Sequence, residues 1–307
     1  MKLARSIFGG LAVLSAFAVS VPASAQDATP SHVYQVVDNI NAELSLLLEA
    51  DDSVALVDKS APALTPRKPR HVIQKAREVF LKVQLLRRIN GLPVTELQPF
   101  PVRAIKPADV KGMVEVVLTD LRGLREPFAV SADAEPAALP EGKTPTDVYG
   151  NLTKTSAWID GLGMPKTVPN DVYRVALTIV SDLQKVRIAR GMTDDIAVES
   201  VSSGKKPNQV YKLGVQLLER IGELAKNERF AISGGVVMPN LREGKITPAH
   251  VIDILNNVQA EVVAMKLAVG ASDPSDIIAA PAGKTPSDVY DALETALQMV
   301  ETLQVNS

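Results

Sequence analysis

Gly142-Lys143-Thr144-Pro145-Thr146-Asp147-Val148-Tyr149 returns 141 residues later as Gly283-Lys284-Thr285-Pro286-Ser287-Asp288-Val289-Tyr290. Its core, Pro-x-x-Val, recurs eight times at the head of a heptad-patterned run. The prolines are Pro30, Pro69, Pro107, Pro145, Pro169, Pro207, Pro248 and Pro286. Successive prolines stand 38 to 41 residues apart, except for one gap of 24 between Pro145 and Pro169. A period of this kind marks one supersecondary unit copied many times.

Counted from each proline, positions 3, 7, 10, 14 and 17 are apolar in most copies, the 4-3-4-3 spacing of a heptad seam. The seventh copy reads Val251, Leu255, Val258, Val262, Met265, and the third Val110, Val114, Val117, Leu121, Leu124. Thr155 and Gly214 interrupt the seam, and Asn41 lies beside it. The pattern predicts an all-α protein of eight helices, each about 20 residues and 30 Å long. Proline at the first helical position costs no intrahelical bond and has its φ already set. Thr29, Thr144, Thr247 and Thr285 precede it as N-caps. The third helical position holds His32, His71, Asp109, Asp147, Asp171, Gln209, His250 or Asp288, where a side chain reaches back to the cap.

The short gap splits the repeats into two sets of four that superpose with an offset of 138 to 141 residues. Tandem duplication of a four-helix bundle follows, over residues 26–163 and 164–307, each a normal domain size. A continuous array of eight helices, each touching mainly its neighbours, is the alternative. The connections are long for antiparallel neighbours, which need only about 2–8 residues. The 16 residues from Gly91 to Lys106 reach about 50 Å, enough to run back along a helix and start the next one parallel. The sequence leaves helix polarity open.

Residues 1–25 read as a secretory signal peptide: Lys2 and Arg5, an apolar run from Ile7 to Val21, and Ala23-Ser24-Ala25 before the cut. The apolar run is too short to span a bilayer. Periplasmic or secreted localisation is expected. There is no cysteine, so neither disulfides nor cysteine-linked lipid enter the argument. Without Lys2 and Arg5, 31 basic residues face 35 acidic ones, which gives no support to a nucleic-acid partner. Aromatic residues are only 4% of the chain, favouring aliphatic helix packing over sandwich or barrel folds.

Two coincidences mark candidate sites. All three histidines occupy the third helical position, so His32, His71, Asp109 and Asp147 would form one layer if the helices start at the same end. Two imidazoles and two carboxylates suit a divalent metal; the second set offers a poorer one, and helix capping is the plainer account of all eight. All five tyrosines, Tyr34, Tyr149, Tyr173, Tyr211 and Tyr290, stand two residues further on. They are either boundary packing or an aromatic rim around a ligand. Lysine also precedes seven of the eight prolines: Lys68, Lys106, Lys143, Lys166, Lys206, Lys245 and Lys284. A cation beside the positive end of a helix is unfavourable. Either a neighbouring antiparallel helix presents its terminal carbonyls there, or lysine and free N–H groups together hold an anion. On the second account Lys68, Lys106 and Lys206 join the tyrosines as ligand-binding candidates.

Trp158, beside the seam near the junction Gly161-Leu162-Gly163, reads as packing between the halves. No His-Glu-x-x-His, Gly-x-Ser-x-Gly or phosphate-loop pattern is present, and no cofactor is implied. The reading that follows is a non-catalytic protein of the cell envelope that binds a protein partner or its own copies. A bundle that binds a small ligand, anion or metal is the alternative.

Overall fold

The computed structural model describes residues 27–56, 58 and 61–305; the stretch 1–25, expected from the sequence to be a signal peptide, lies outside them. Eight α-helices begin at the eight repeat prolines: α1 Pro30–Ala50, α2 Pro69–Ile89, α3 Pro107–Arg122, α4 Pro145–Asp160, α5 Pro169–Ala189, α6 Pro207–Leu224, α7 Pro248–Ala268 and α8 Pro286–Val305. There is no strand among the described residues. α3 and α4 are shorter than expected, 16 residues each, stopping before Gly123 and Gly161. Their last seam residues, Leu124 and Leu162, stay buried in the turns that follow.

α1 and α2 each pack on both α3 and α4, and α5 and α6 each pack on both α7 and α8. Two four-helix bundles result, with α1 diagonal to α2, α3 to α4, α5 to α6 and α7 to α8. Each has its own apolar cluster: Val33 to Leu162 in the first, Val172 to Leu303 in the second. The seam of α7 is completely withdrawn from solvent at four positions and 1% exposed at Val251. The two bundles meet where α2 packs on α7.

All helices of a bundle run the same way. Pro169, Pro207, Pro248 and Pro286 close around one small hollow with the four valines that follow them, so the starts of α5 to α8 share one end. In the first bundle the Lys143 N–H donates to Ser31 Oγ (3.2 Å) and the Arg67 N–H to Thr146 Oγ1 (2.8 Å). The second bundle repeats both contacts, Lys284 N–H to Asn170 Oδ1 (2.8 Å) and Lys205 N–H to Ser287 Oγ (3.0 Å). The long connections therefore ride back along the helices. Asn39 and Gln35 of α1 hold the backbone at Ala137, and Lys185 of α5 holds the Pro274 carbonyl.

The seam exceptions are paired. Asn41, Asn151 and Thr155 form a buried chain of hydrogen bonds inside the first bundle, at 2.8 Å each. Gly214 lets α6 approach α7: a Cβ there would lie 3.2 Å from Ile254 Cγ2.

A second internal pattern is an acid thirteen residues after the proline in α1, α3, α5 and α7: Glu43, Asp120, Asp182 and Glu261. All four are buried and ionic groups or amides meet them, as buried charge requires. Glu43 takes Arg122 and Arg125, Asp120 takes Gln84 and Thr95, and Asp182 takes Lys266, Gln259 and Ser275. These partners belong to the same bundle. Glu261 differs: besides the Val237 N–H it takes His71 (2.9 Å) and Arg70 (3.0 Å), both from α2 of the other bundle.

Candidate functional site

The third-position side chains all serve their own caps. The backbone N–H before the proline donates to His32 Nδ1 (3.2 Å), His71 Nδ1 (3.1 Å), Asp109 (2.7 Å), Asp147 (2.7 Å), Asp171 (2.9 Å), Gln209 (3.0 Å), His250 Nδ1 (3.2 Å) and Asp288 (2.8 Å). Imidazole Nδ1 replaces the carboxylate of a capping box, accepting one orphan N–H. The cap N–H groups served by His71, Asp109 and Gln209 are those of Lys68, Lys106 and Lys206. Among the described residues no three metal-ligating side chains converge.

The basic residues before the prolines and the tyrosines after them find each other. Because the helices of each bundle are parallel, no antiparallel neighbour within the bundle presents its terminal carbonyls to these lysines, contrary to the first expectation. Lys143 instead sits 4.3 Å over the Tyr34 ring, Arg67 4.7 Å over Tyr149, Lys284 4.6 Å over Tyr173 and Lys205 3.8 Å over Tyr290. Each contact ties the start of one helix to the start of its neighbour, a cation–π contact worth about 0.5–2 kcal/mol. The pairs match between bundles. Tyr211 is the exception, its hydroxyl accepting the Arg242 N–H (3.0 Å). Trp158 packs on the core of the first bundle beneath Lys154.

The joint between bundles is polar. His71 accepts at Nδ1, so its ring proton sits on Nε2 and points to Glu261. Burial, more than any neighbour, lowers the pKa of His71 and keeps it neutral. Burial alone would raise that of Glu261, but His71, Arg70 and the Val237 N–H bring it below the ordinary value. Lys75 joins Glu78 (2.9 Å) to Asp253 of α7 (2.8 Å), and Asn256 of α7 donates to Glu78 (2.9 Å). Arg67 reaches Asn257 at 2.6 Å.

Beside this joint the bundles part around a cleft of about 460 Å³. α2 forms one wall, α5 and α7 the other, and the connections α2–α3, α4–α5 and α7–α8 close its margins. The lining is mostly apolar, with Ile73, Leu81, Phe100, Val175 and Ile277 among it. Its size and character are those of small-molecule sites, which run about 300–1,000 Å³. Arg77 of α2 and Arg174 of α5 face into it from opposite bundles. None of the tyrosines, and none of Lys68, Lys106 and Lys206, lines this cleft. Comparison with protein-family models, curated proteins and solved structures gives no match.

Proposed function

We propose that this is a secreted or periplasmic binding protein, without catalysis of its own, that holds a small molecule between its two bundles. The observation that carries the reading is the cleft of about 460 Å³, walled by both bundles and margined by three connections. Sites between rigid units are where small ligands most often bind. The joint beside it supports the reading too, because Glu261, Lys75 and Arg67 fix α2 against α7 and so set the width of the opening.

The test is a thermal melt of the full chain against a panel of organic acids, phosphates, nucleotides, sugars and amines. A ligand that binds the native state raises its melting temperature in a saturable way. Val263, half-buried on α7, lines the cleft, so Val263→Trp fills it. The expected result is a shift with one chemical class that Val263→Trp abolishes. A flat panel would sink the cleft reading and leave the one drawn from the repeat itself, a protein-interaction scaffold of the cell envelope.

A further inference from the structure

Charge within the cleft is unevenly settled. Its lining carboxylates are Glu78, Asp160, Asp171 and Asp276, and each is already held. Glu78 has Lys75, Ser156 and Asn256, and Asp160 has Lys82 at 2.7 Å. Asp171 caps α5, and Asp276 has Lys185 at 2.9 Å. Among the cations, Lys82 is used by Asp160 and Arg70 by Glu261, and Arg88 stands exposed to solvent at the cleft's edge.

Arg77 and Arg174 are different. Among the described residues neither guanidinium donates a hydrogen bond and neither has a carboxylate within ion-pair distance. Both are only half exposed. Burial weakens each guanidinium's hold on its proton, and the nearby Arg174 charge weakens that of Arg77 further. Asp182, the acid that Arg77 feels, is fully buried and paired with Lys266, and Asp171, the acid that Arg174 feels, is held at the α5 cap. Two desolvated guanidiniums from opposite walls, with no anion between them, are costly unless something negative is bound. Guanidinium forks match carboxylate and phosphate oxygens in shape.

We infer that the ligand of this cleft is an amphipathic oxyanion, its carboxylate or phosphate head clamped between Arg77 and Arg174 and its apolar body along Phe100, Val175 and Ile277. The inference rests on the cleft being a binding site and specifies what it takes. Because each bundle supplies one guanidinium, binding closes a link between the halves that neither makes alone. Removing either arginine breaks a charge-assisted pair, which weakens binding roughly ten- to hundredfold. The empty protein gains from the same change, since an unpaired charge is relieved.

The probes are decanoate, decyl phosphate and decanol below their micelle concentrations, read by thermal melts and calorimetric titration on the full chain. Wild type should bind at least one of the two anions saturably and decanol more weakly. Arg77→Met and Arg174→Met should lose that binding while melting no lower than wild type without ligand. Preference between the two anions tells a carboxylate ligand from a phosphate one. Equal binding of decanol would overturn the oxyanion and keep the cleft. Anion binding that survives in both variants would place the anion elsewhere and overturn the inference. No response to any of the three probes overturns it as well, and the wider panel with Val263→Trp then judges the cleft separately.

Discussion

His71 does two jobs with two nitrogens. Nδ1 caps α2 and Nε2 donates to Glu261 across the joint, so a second ring proton breaks the cap. The unfolded chain takes up that proton as the pH falls through about 6.5, while the folded protein resists it. Stability is therefore complete above pH 6.5 and declines below it. Glu261 adds to the decline at lower pH: its folded pKa is depressed, so its contribution is present above the usual 4.5 and is lost as the pH falls through the folded value. His71→Gln keeps a side chain that caps α6 as Gln209, but it does not titrate. Chemical denaturation at pH 7.5, 6.5 and 5.5 should show wild type losing stability across this range and His71→Gln losing less. Parallel curves for the two proteins would mean that His71 is not the group responsible.

At the scale of the helix, Gly214 is where a side chain is least welcome. Gly214→Leu drives a branched group into Ile254 and Leu255 and should cost about 1–3 kcal/mol. Gly214→Ala gains about 1 kcal/mol of helix propensity against a tight contact and should end near wild type. Urea melts of both variants decide it; a leucine variant as stable as wild type would show that α6 and α7 stand further apart. The helices themselves were legible in the sequence, because proline, cap and seam are local chemistry, repeated until it cannot be missed. All eight starts fall at the predicted prolines, and the first-copy seam of Val33, Val37, Ile40, Leu44 and Leu47 is buried. Polarity was not legible, since a start signal carries no information about a neighbour's direction. The acids at the thirteenth position could have been found by aligning alternate repeats. Arg77 and Arg174 could not: they lie off the seam on faces that read as solvated, and only the meeting of two bundles makes them neighbours. The partner of His71 lies 190 residues away on another helix.

Across the whole molecule, two complete apolar clusters are joined through a polar seam. Residues 27–163 alone should therefore fold to a helical domain with a cooperative melt, losing the partners that the second bundle gives to Arg67, Arg70, His71, Lys75 and Glu78 among others. Circular dichroism checks this; a disordered fragment would show that the first bundle depends on the second. The parallel arrangement has a kinetic consequence as well. In an up-and-down bundle the first two helices close on each other through a short turn, and assembly grows from that hairpin. Here α1 must wait for α3 and α4, with an entire helix and two long connections synthesised or diffusing in between. Loop closure precedes nearly every rewarding contact, and such topologies reach their transition state late and slowly. Stopped-flow refolding should place this all-helical protein among slower mixed-topology domains rather than with helical hairpin bundles of its size.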